Sequence, residues 1–285
     1  MPEEKVQSLS DFMARVTQLR ESWGTPGHKE LWFRGETQKH LTCLRPRLYR
    51  PGGNLPLKPV FELLRIENDL YEKFQRCAIQ LCNEKTAEDD WDWDSYFLMQ
   101  HHGGPTRLLD WSDGALIALH FALRDKANDD TRDALVYVLE PDRLIERIEA
   151  LPDIELAKTK WKAFVQKHPS DDLQEDEWDR SYLPGDDEDL AETPPPRVPL
   201  LLEFPHITRR VAAQRSQFIV FGTDPDWLAE ELDKPDSPLR TIAVDAATSR
   251  RIRRELRDSG VTESVIFPDL DGLGREMKQL WEDRK

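Results

Sequence analysis

The sequence predicts a single mixed α/β (α+β) domain over residues 1–285, with a twisted central sheet flanked by helices and broken by an acidic insertion. Three observations predict it. Apolar residues recur at helical spacing in long stretches such as 60–82. Short apolar runs such as 134–139 alternate with them, without the regular rhythm of a doubly wound sheet. Composition shifts abruptly over 152–199 and returns afterwards, and no internal repeat is found.

Residues 9–23 read as an amphipathic helix, with Ser8 or Ser10 as cap and Phe12, Val16 and Leu19 on one face. Gly24-Thr25-Pro26-Gly27 ends it, and 31–34 is a short strand. Pro46, Pro51-Gly52-Gly53 and Pro56 make 46–59 an irregular loop. The helix over 60–82 carries Leu63, Ile66, Leu70, Phe74, Cys77 and Leu81 on its expected inner face. A shorter helix over 95–100 leads into a His-His-Gly-Gly turn. Ser112 or Asp113 caps the next helix, which turns Leu116, Leu119, Ala122 and Leu123 inward. The run 134–139 has the pattern of a strand covered on both faces, and Pro141-Asp142 opens a helix. Beyond the insertion the pattern gives strands at 200–204, 217–221, 239–244 and 263–267. Helices are expected at 206–213, 225–232, 246–258 and 272–282.

The formal net charge of -15 is unevenly placed. Residues 171–192 hold 11 Asp/Glu and one base, Arg180; without them the chain has 39 basic and 44 acidic residues, a net of -5. The body therefore need not repel a nucleotide or nucleic acid, and the cluster Arg250-Arg251-Ile252-Arg253-Arg254 stands out within it. The insertion joins an amphipathic piece at 161–165, the acidic tract and Thr193-Pro194-Pro195-Pro196. It reads as partly helical and partly mobile, a solvated loop or a dock for a basic protein partner. No apolar run approaches the length of a bilayer, so no membrane partner is expected. Met1-Pro2-Glu3-Glu4-Lys5 lacks the apolar stretch of a secretory signal, which makes the cytoplasm the expected location. Cys43, Cys77 and Cys82 lack CxxC spacing and read as reduced thiols, and no metal is expected.

The densest chemistry lies between Gln100 and Ser112, where His, Thr, Arg and Asp surround a Gly-Gly-Pro break. Such a turn, read as a helix entrance, suits a polar or anionic ligand. Arg34 ends a short apolar strand, and Gly35 is expected to let a ligand approach the backbone. A guanidinium grips phosphate through parallel charge-assisted hydrogen bonds worth roughly 1.5–3 kcal/mol each. The competing assignment is structural: Arg34 paired internally with Glu36 or Asp110. Thr106, Arg107 and Asp110 are the next candidates, Asp110 either capping, orienting an arginine or holding a ribose hydroxyl. Adjacent histidines on a regular element face different ways, so one of His101 and His102 belongs to a site, and His102 beside Gly103 is preferred. Arg209 and Gln214 sit near one end of a helix, where Arg210 shares a face with Gln214 at four-residue spacing. Asp269 and Asp271 are turn residues or a further carboxylate of the same site. No GxxxxGK[ST], GxGxxG, HExxH or GxSxG is present, which argues against P-loop NTPases, Rossmann oxidoreductases, common zinc proteases and serine hydrolases.

Phe33-Arg34-Gly35, the segment Leu44-Arg45-Pro46-Arg47-Leu48-Tyr49-Arg50 and Thr106-Arg107-Leu108-Leu109-Asp110-Trp111 together resemble the FRG-domain family. Arg209 with Gln214-Arg215-Ser216-Gln217-Phe218 is similar to its Arg…Gln-x-Gly-x-Phe segment, with Ser216 where Gly is common, and Phe267-Pro268-Asp269-Leu270-Asp271-Gly272-Leu273 to its closing motif. The resemblance covers most of a core at 30–275. Trp32-Phe33-Arg34-Gly35 is also similar to the first motif of ADP-ribosyltransferases, in which a strand-borne arginine holds an NAD phosphate. The resemblance implies an ADP-ribosyltransferase-like enzyme with NAD as substrate. Arg34, Gly35, Thr106, Arg107 and Arg209 would bind it, and Asp110, His102 and Gln214 would act on it. The catalytic carboxylate stays open among Glu36, Glu203, Glu263 and Asp110. Two other classes stand beside it: a non-catalytic module for a nucleotide or nucleic-acid end, and an effector, either a toxin or an anti-phage defence protein, neutralised by a partner.

Overall fold

The computed structural model describes residues 5–38, 43–52, 56–81, 91–126, 130–170, 173–202, 209–232 and 234–282. In chain order its elements begin with α1 (Leu9–Trp23), β1 (Trp32–Glu36), α2 (Val60–Leu81) and α3 (Trp91–His101). Then come β2 (Leu108–Ser112), α4 (Ala115–Arg124), β3 (Ala134–Leu139), α5 (Pro141–Glu149), α6 (Pro152–Lys167) and α7 (Asp187–Glu192). The last third holds β4 (Leu200–Leu202), α8 (Arg209–Gln214), β5 (Ser216–Val220), α9 (Trp227–Leu232), β6 (Leu239–Val244), α10 (Ser249–Asp258), α11 (Glu263–Ile266) and α12 (Leu270–Glu282). The strands form one six-stranded sheet in the order β4-β5-β2-β1-β3-β6, antiparallel at every step.

Alternation along the strands builds two cores. Phe33, Val136 and Val138 face α1, α4 and α10, meeting Phe12, Val16, Leu119 and Ile252. Trp32, Leu109, Leu139 and Ile219 face the other way, onto Leu63 of α2, Leu144 and Ile148 of α5 and Leu228 of α9. A third cluster joins Leu108, Phe218 and Val220 to Tyr71 of α2 and Tyr96 and Phe97 of α3. β3 is buried at all six positions, as its unbroken apolar run predicts.

Three sequence expectations change. The inner face of α2 is rotated: Leu63, Leu64, Glu67, Tyr71 and Ala78 are buried, whereas Cys77 is exposed. A periodicity count skips a charged residue, yet Glu67 is turned inward because it neutralises a buried arginine. Residues 263–267 form α11, not a strand. A strand would put Glu263, Val265 and Phe267 on one face; here Glu263 and Ile266 are buried while Val265 is 54% exposed. The cap of α4 is Gly114, with the Ser112 hydroxyl accepting its amide at 3.0 Å. The segment 152–199, expected to be partly helical, carries α6 and α7. Ile154 and Trp161 of α6 are buried, and so is Tyr182, whose hydroxyl donates to the Val198 carbonyl at 2.9 Å. The strand expected at 200–204 is described over Leu200–Leu202 and the helix at 206–213 from Arg209 onward, the remaining positions lying outside the described residues.

Candidate functional site

The site begins as a fork in the sheet. β1 pairs with β3 at five positions and β2 with β5 at five, but β1 and β2 pair only at Phe33 and Ser112. Past that point the two strands diverge. The Asp110 carbonyl, which a continuing ladder would satisfy with a strand amide, instead accepts from Nη1 of Arg34 at 2.7 Å. A cleft of about 630 Å³ opens at the fork. The ends of α3 and α8, one face of α4, and Arg50 and Pro51 of the loop before α2 complete its walls.

Three guanidinium groups line it: Arg34, Arg50 and Arg210. Burial lowers the Arg50 pKa, and the neighbouring charges of Arg34 and Arg47 lower it further. Burial also lowers that of Arg210, against an upward pull from Asp110 and Asp269. Cations crowded in this way favour an incoming anion, which offsets their mutual repulsion. The His101 imidazole is pushed down to about 4, chiefly by burial, then by Arg210 and His102, so the ring is neutral at pH 7.

The carboxylates are held differently. Glu36 is buried at 7% exposure; its Oε1 accepts from Nε of Arg34 at 3.3 Å, while Oε2 has no hydrogen-bond partner among the described residues. Trp111 Nε1 and Arg210 Nε share that condition, and all three residues line the same cleft. Buried polar atoms are nearly always paired, and Tyr137, Ser181 and Gln217, outside the cleft lining, carry unpaired ones as well. Asp110 is exposed to the cleft, with Oδ2 accepting from Nε2 of Gln100 at 3.0 Å. The Gln100 carbonyl oxygen accepts in turn from the Thr106 hydroxyl, which fixes the orientation of the amide.

The structure separates the sequence candidates. Arg34, Gly35, Asp110 and Gln214 line the cleft, and Gln214 also donates to the Ile266 carbonyl at 3.4 Å. Asp110 lies mid-strand in β2, not at a helix entrance. Arg107 does not reach the cleft. It is 1% exposed and donates to Glu67 (2.5 Å) and to the carbonyls of Phe221 (3.2 Å) and Tyr182 (2.6 Å). Burial alone would lower its pKa, but Glu67, Tyr96 and Tyr49 outweigh it and hold it above the ordinary value. Thr106 is fully buried and acts only through Gln100. Gly35 serves packing: a Cβ there would stand 1.9 Å from the Ala118 carbonyl oxygen and 2.5 Å from the Ala122 nitrogen, so its bareness lets α4 lie against β1. His102 and Arg209 are exposed and outside the lining; the chain direction at each helix end brings their neighbours His101 and Arg210 in instead.

Among the glutamate candidates, Glu36 lies in the cleft and Glu203 is outside the described residues. Glu263 belongs to a separate buried cluster with His120 (3.1 Å), Arg124 (2.8 Å) and Arg275 (2.6 Å). Asp269 Oδ1 accepts from the Gly272 amide at 2.6 Å and Asp271 sits in the first turn of α12, so both serve the turn. Sequence reasoning assigned no role to Arg50 and Gln100, preferred His102 to His101, and noted Arg210 only for the face it shares with Gln214. The signal for Arg210 was its four-residue spacing from Gln214, and for Arg50 its place in an arginine-rich segment. Among the described residues no group of His, Cys, Asp and Glu is placed to hold a metal ion, and no helix is long and apolar enough to cross a membrane.

These features describe a cleft lined by Arg34, Arg50, Arg210, Glu36 and Asp110 in the fork of an antiparallel sheet. Residues 29–131 match the family model of the FRG domain, so the chain carries an FRG domain over that segment. Both arms of the fork, Arg50 and the α3–β2 turn fall within the match, whereas α8 and β5 lie beyond it. No curated protein and no solved structure matches the chain.

Proposed function

We propose that the cleft takes a dinucleotide of the NAD class and that the chain is an ADP-ribosyltransferase-like enzyme. The observation that carries this is the meeting of three guanidiniums with the buried carboxylate of Glu36 in a cleft of about 630 Å³, a volume suited to a ligand of nucleotide size. Arg34, Arg50 and Arg210 have the charge and fork geometry for a pyrophosphate. In the reaction the bond between nicotinamide nitrogen and ribose C1′ breaks, and nicotinamide leaves with the bonding pair. The ribose passes through an oxocarbenium-like state and is captured by water or another nucleophile, which gives up its proton. A fixed carboxylate beside C1′ stabilises the positive charge as it develops. Glu36 is the first choice for that role and Asp110 the second. His101, neutral and partly buried, offers a ring to hydrogen-bond or stack.

A second assignment, binding without turnover, is favoured by one observation: Oε1 of Glu36 already engages Arg34, and Asp110 already engages Gln100. The test is chromatographic detection of nicotinamide released from NAD. Release that is abolished by Glu36→Gln in a protein of unchanged melting temperature supports turnover. Saturable NAD binding with no release leaves the binding module, and absence of both ends the NAD assignment.

A further inference from the structure

The cluster singled out in the sequence at 250–254 forms, with its neighbours, a groove distinct from the fork. Arg250, Arg253, Arg254 and Arg257 fall at i, i+3, i+4 and i+7 of α10, one continuous face spanning about 10 Å at 1.5 Å per residue. The opposite face of α10 is anchored by Ile252 and Leu256 in the core, so the arginine row is held rigidly outward. Two recesses of about 280 and 360 Å³ run along it towards α12, and they share Arg124, Arg253, Glu263, Gln279 and Glu282 as lining.

Four like charges on one helix face repel one another and weaken the helix, and two acids of the groove, Glu263 and Glu276, are already engaged. Glu263 is bonded to His120, Arg124 and Arg275. Glu276 accepts the Ser264 amide at 2.9 Å. Arg250 and Arg254 have neither a hydrogen bond nor an ion pair among the described residues. A chain of net charge -15 thus carries one rigid, concave, arginine-lined track.

We propose that this track binds the phosphodiester backbone of a single-stranded nucleic acid. Guanidiniums in a row match repeating phosphates, which they grip through paired hydrogen bonds. Among the described residues lining the groove the ring is that of His120, already bonded to Glu263 at 3.1 Å. Recognition would therefore be of backbone, with little sequence preference. An anionic membrane fits less well. The exposed apolar residues of α12, Leu270, Leu273, Met277 and Trp281, lie on the side opposite its groove-lining Arg275 and Gln279, so burying them in lipid would turn the track away from the headgroups. The proposal goes beyond the assignment of the fork cleft and stands without it.

The test is fluorescence anisotropy of a labelled single-stranded RNA of about 20 nucleotides, titrated with the full chain between about 50 and 200 mM salt. The intact protein is expected to bind with log K falling linearly in log salt. Arg250→Ala/Arg254→Ala alters two exposed side chains without partners, so it should fold unchanged. It is expected to weaken binding at least about tenfold and to reduce the salt slope by roughly 1.4, at about 0.7 per phosphate contact. Lys160→Ala, on the exposed side of α6, is the control and should change neither. The proposal is overturned by absence of binding at the lowest salt, by binding that the double variant leaves intact, or by binding only to phosphatidylserine vesicles. Nicotinamide release measured on the same double variant reports on the fork separately.

Discussion

Truncating Arg107 should cost stability rather than ligand affinity. Its guanidinium is 1% exposed and its partner Glu67 is 0% exposed. Glu67 accepts through Oε1 from the Arg107 amide at 2.8 Å and the Tyr96 hydroxyl at 2.5 Å, and through Oε2 from Arg107 Nε at 2.5 Å. Arg107→Met therefore strands a buried carboxylate and frees two buried carbonyls, those of Phe221 and Tyr182. Removing one partner of a buried pair costs about 3–5 kcal/mol. At about 2–4 °C per kcal/mol for a domain approaching this size, the melting temperature should fall by roughly 6–20 °C. Adding Glu67→Gln to Arg107→Met should recover part of that loss, because the uncompensated charge goes. Circular dichroism melts of the intact protein, both single variants and the double variant give the result. An Arg107→Met protein that melts like the intact chain but loses ligand binding would refute the structural role and return Arg107 to the site.

Gly35→Ala forces a methyl against the backbone of α4, so a loss of at least about 1–3 kcal/mol is expected in urea unfolding, and unchanged stability would contradict the close packing. His101 has a folded pKa of about 4, below its ordinary 6.5. The unfolded chain therefore binds the proton first, and stability that is complete above about 6.5 declines as pH falls towards 4. His101→Gln should flatten that part of the urea midpoint profile, and two parallel profiles would count against the buried neutral ring. Tyr182→Phe removes a buried hydroxyl bonded to Val198 and should destabilise by about 1 kcal/mol, whereas an effect near zero would contradict that buried bond.

What the sequence disclosed follows from which forces leave periodic marks. Helices with an apolar stripe, such as α1 and α10, and the wholly apolar β3 were legible because burial is written in residue type. The inner face of α2 was not, since Glu67 is buried for charge compensation and looks like a surface residue. α11 misled for the same reason: Glu263 faces inward to meet three bases, while Val265 faces out. Of the residues lining the cleft, Arg34 and Asp110 were singled out by type, Asp110 at an expected helix entrance that is the strand β2. Arg107, equally rich in hydrogen-bonding capacity, fulfils it inside the protein, a distinction of direction that composition does not carry. His102 and Arg209 were each one residue from the side chain that lines the cleft, because at a helix end a single position moves a side chain by about a quarter turn.

The central claim is that the fork is a phosphate-binding cleft, and isothermal titration of NAD into the intact protein and Arg50→Ala tests it most directly. Arg50 is exposed and its side chain donates only to the Arg45 carbonyl at 2.9 Å, so its removal should leave the melting temperature unchanged. The account predicts saturable binding by the intact chain and an affinity about ten- to a hundredfold lower for Arg50→Ala, the loss of one charge-assisted contact to phosphate. Absence of binding to the intact protein, or equal affinity in the two, would contradict it.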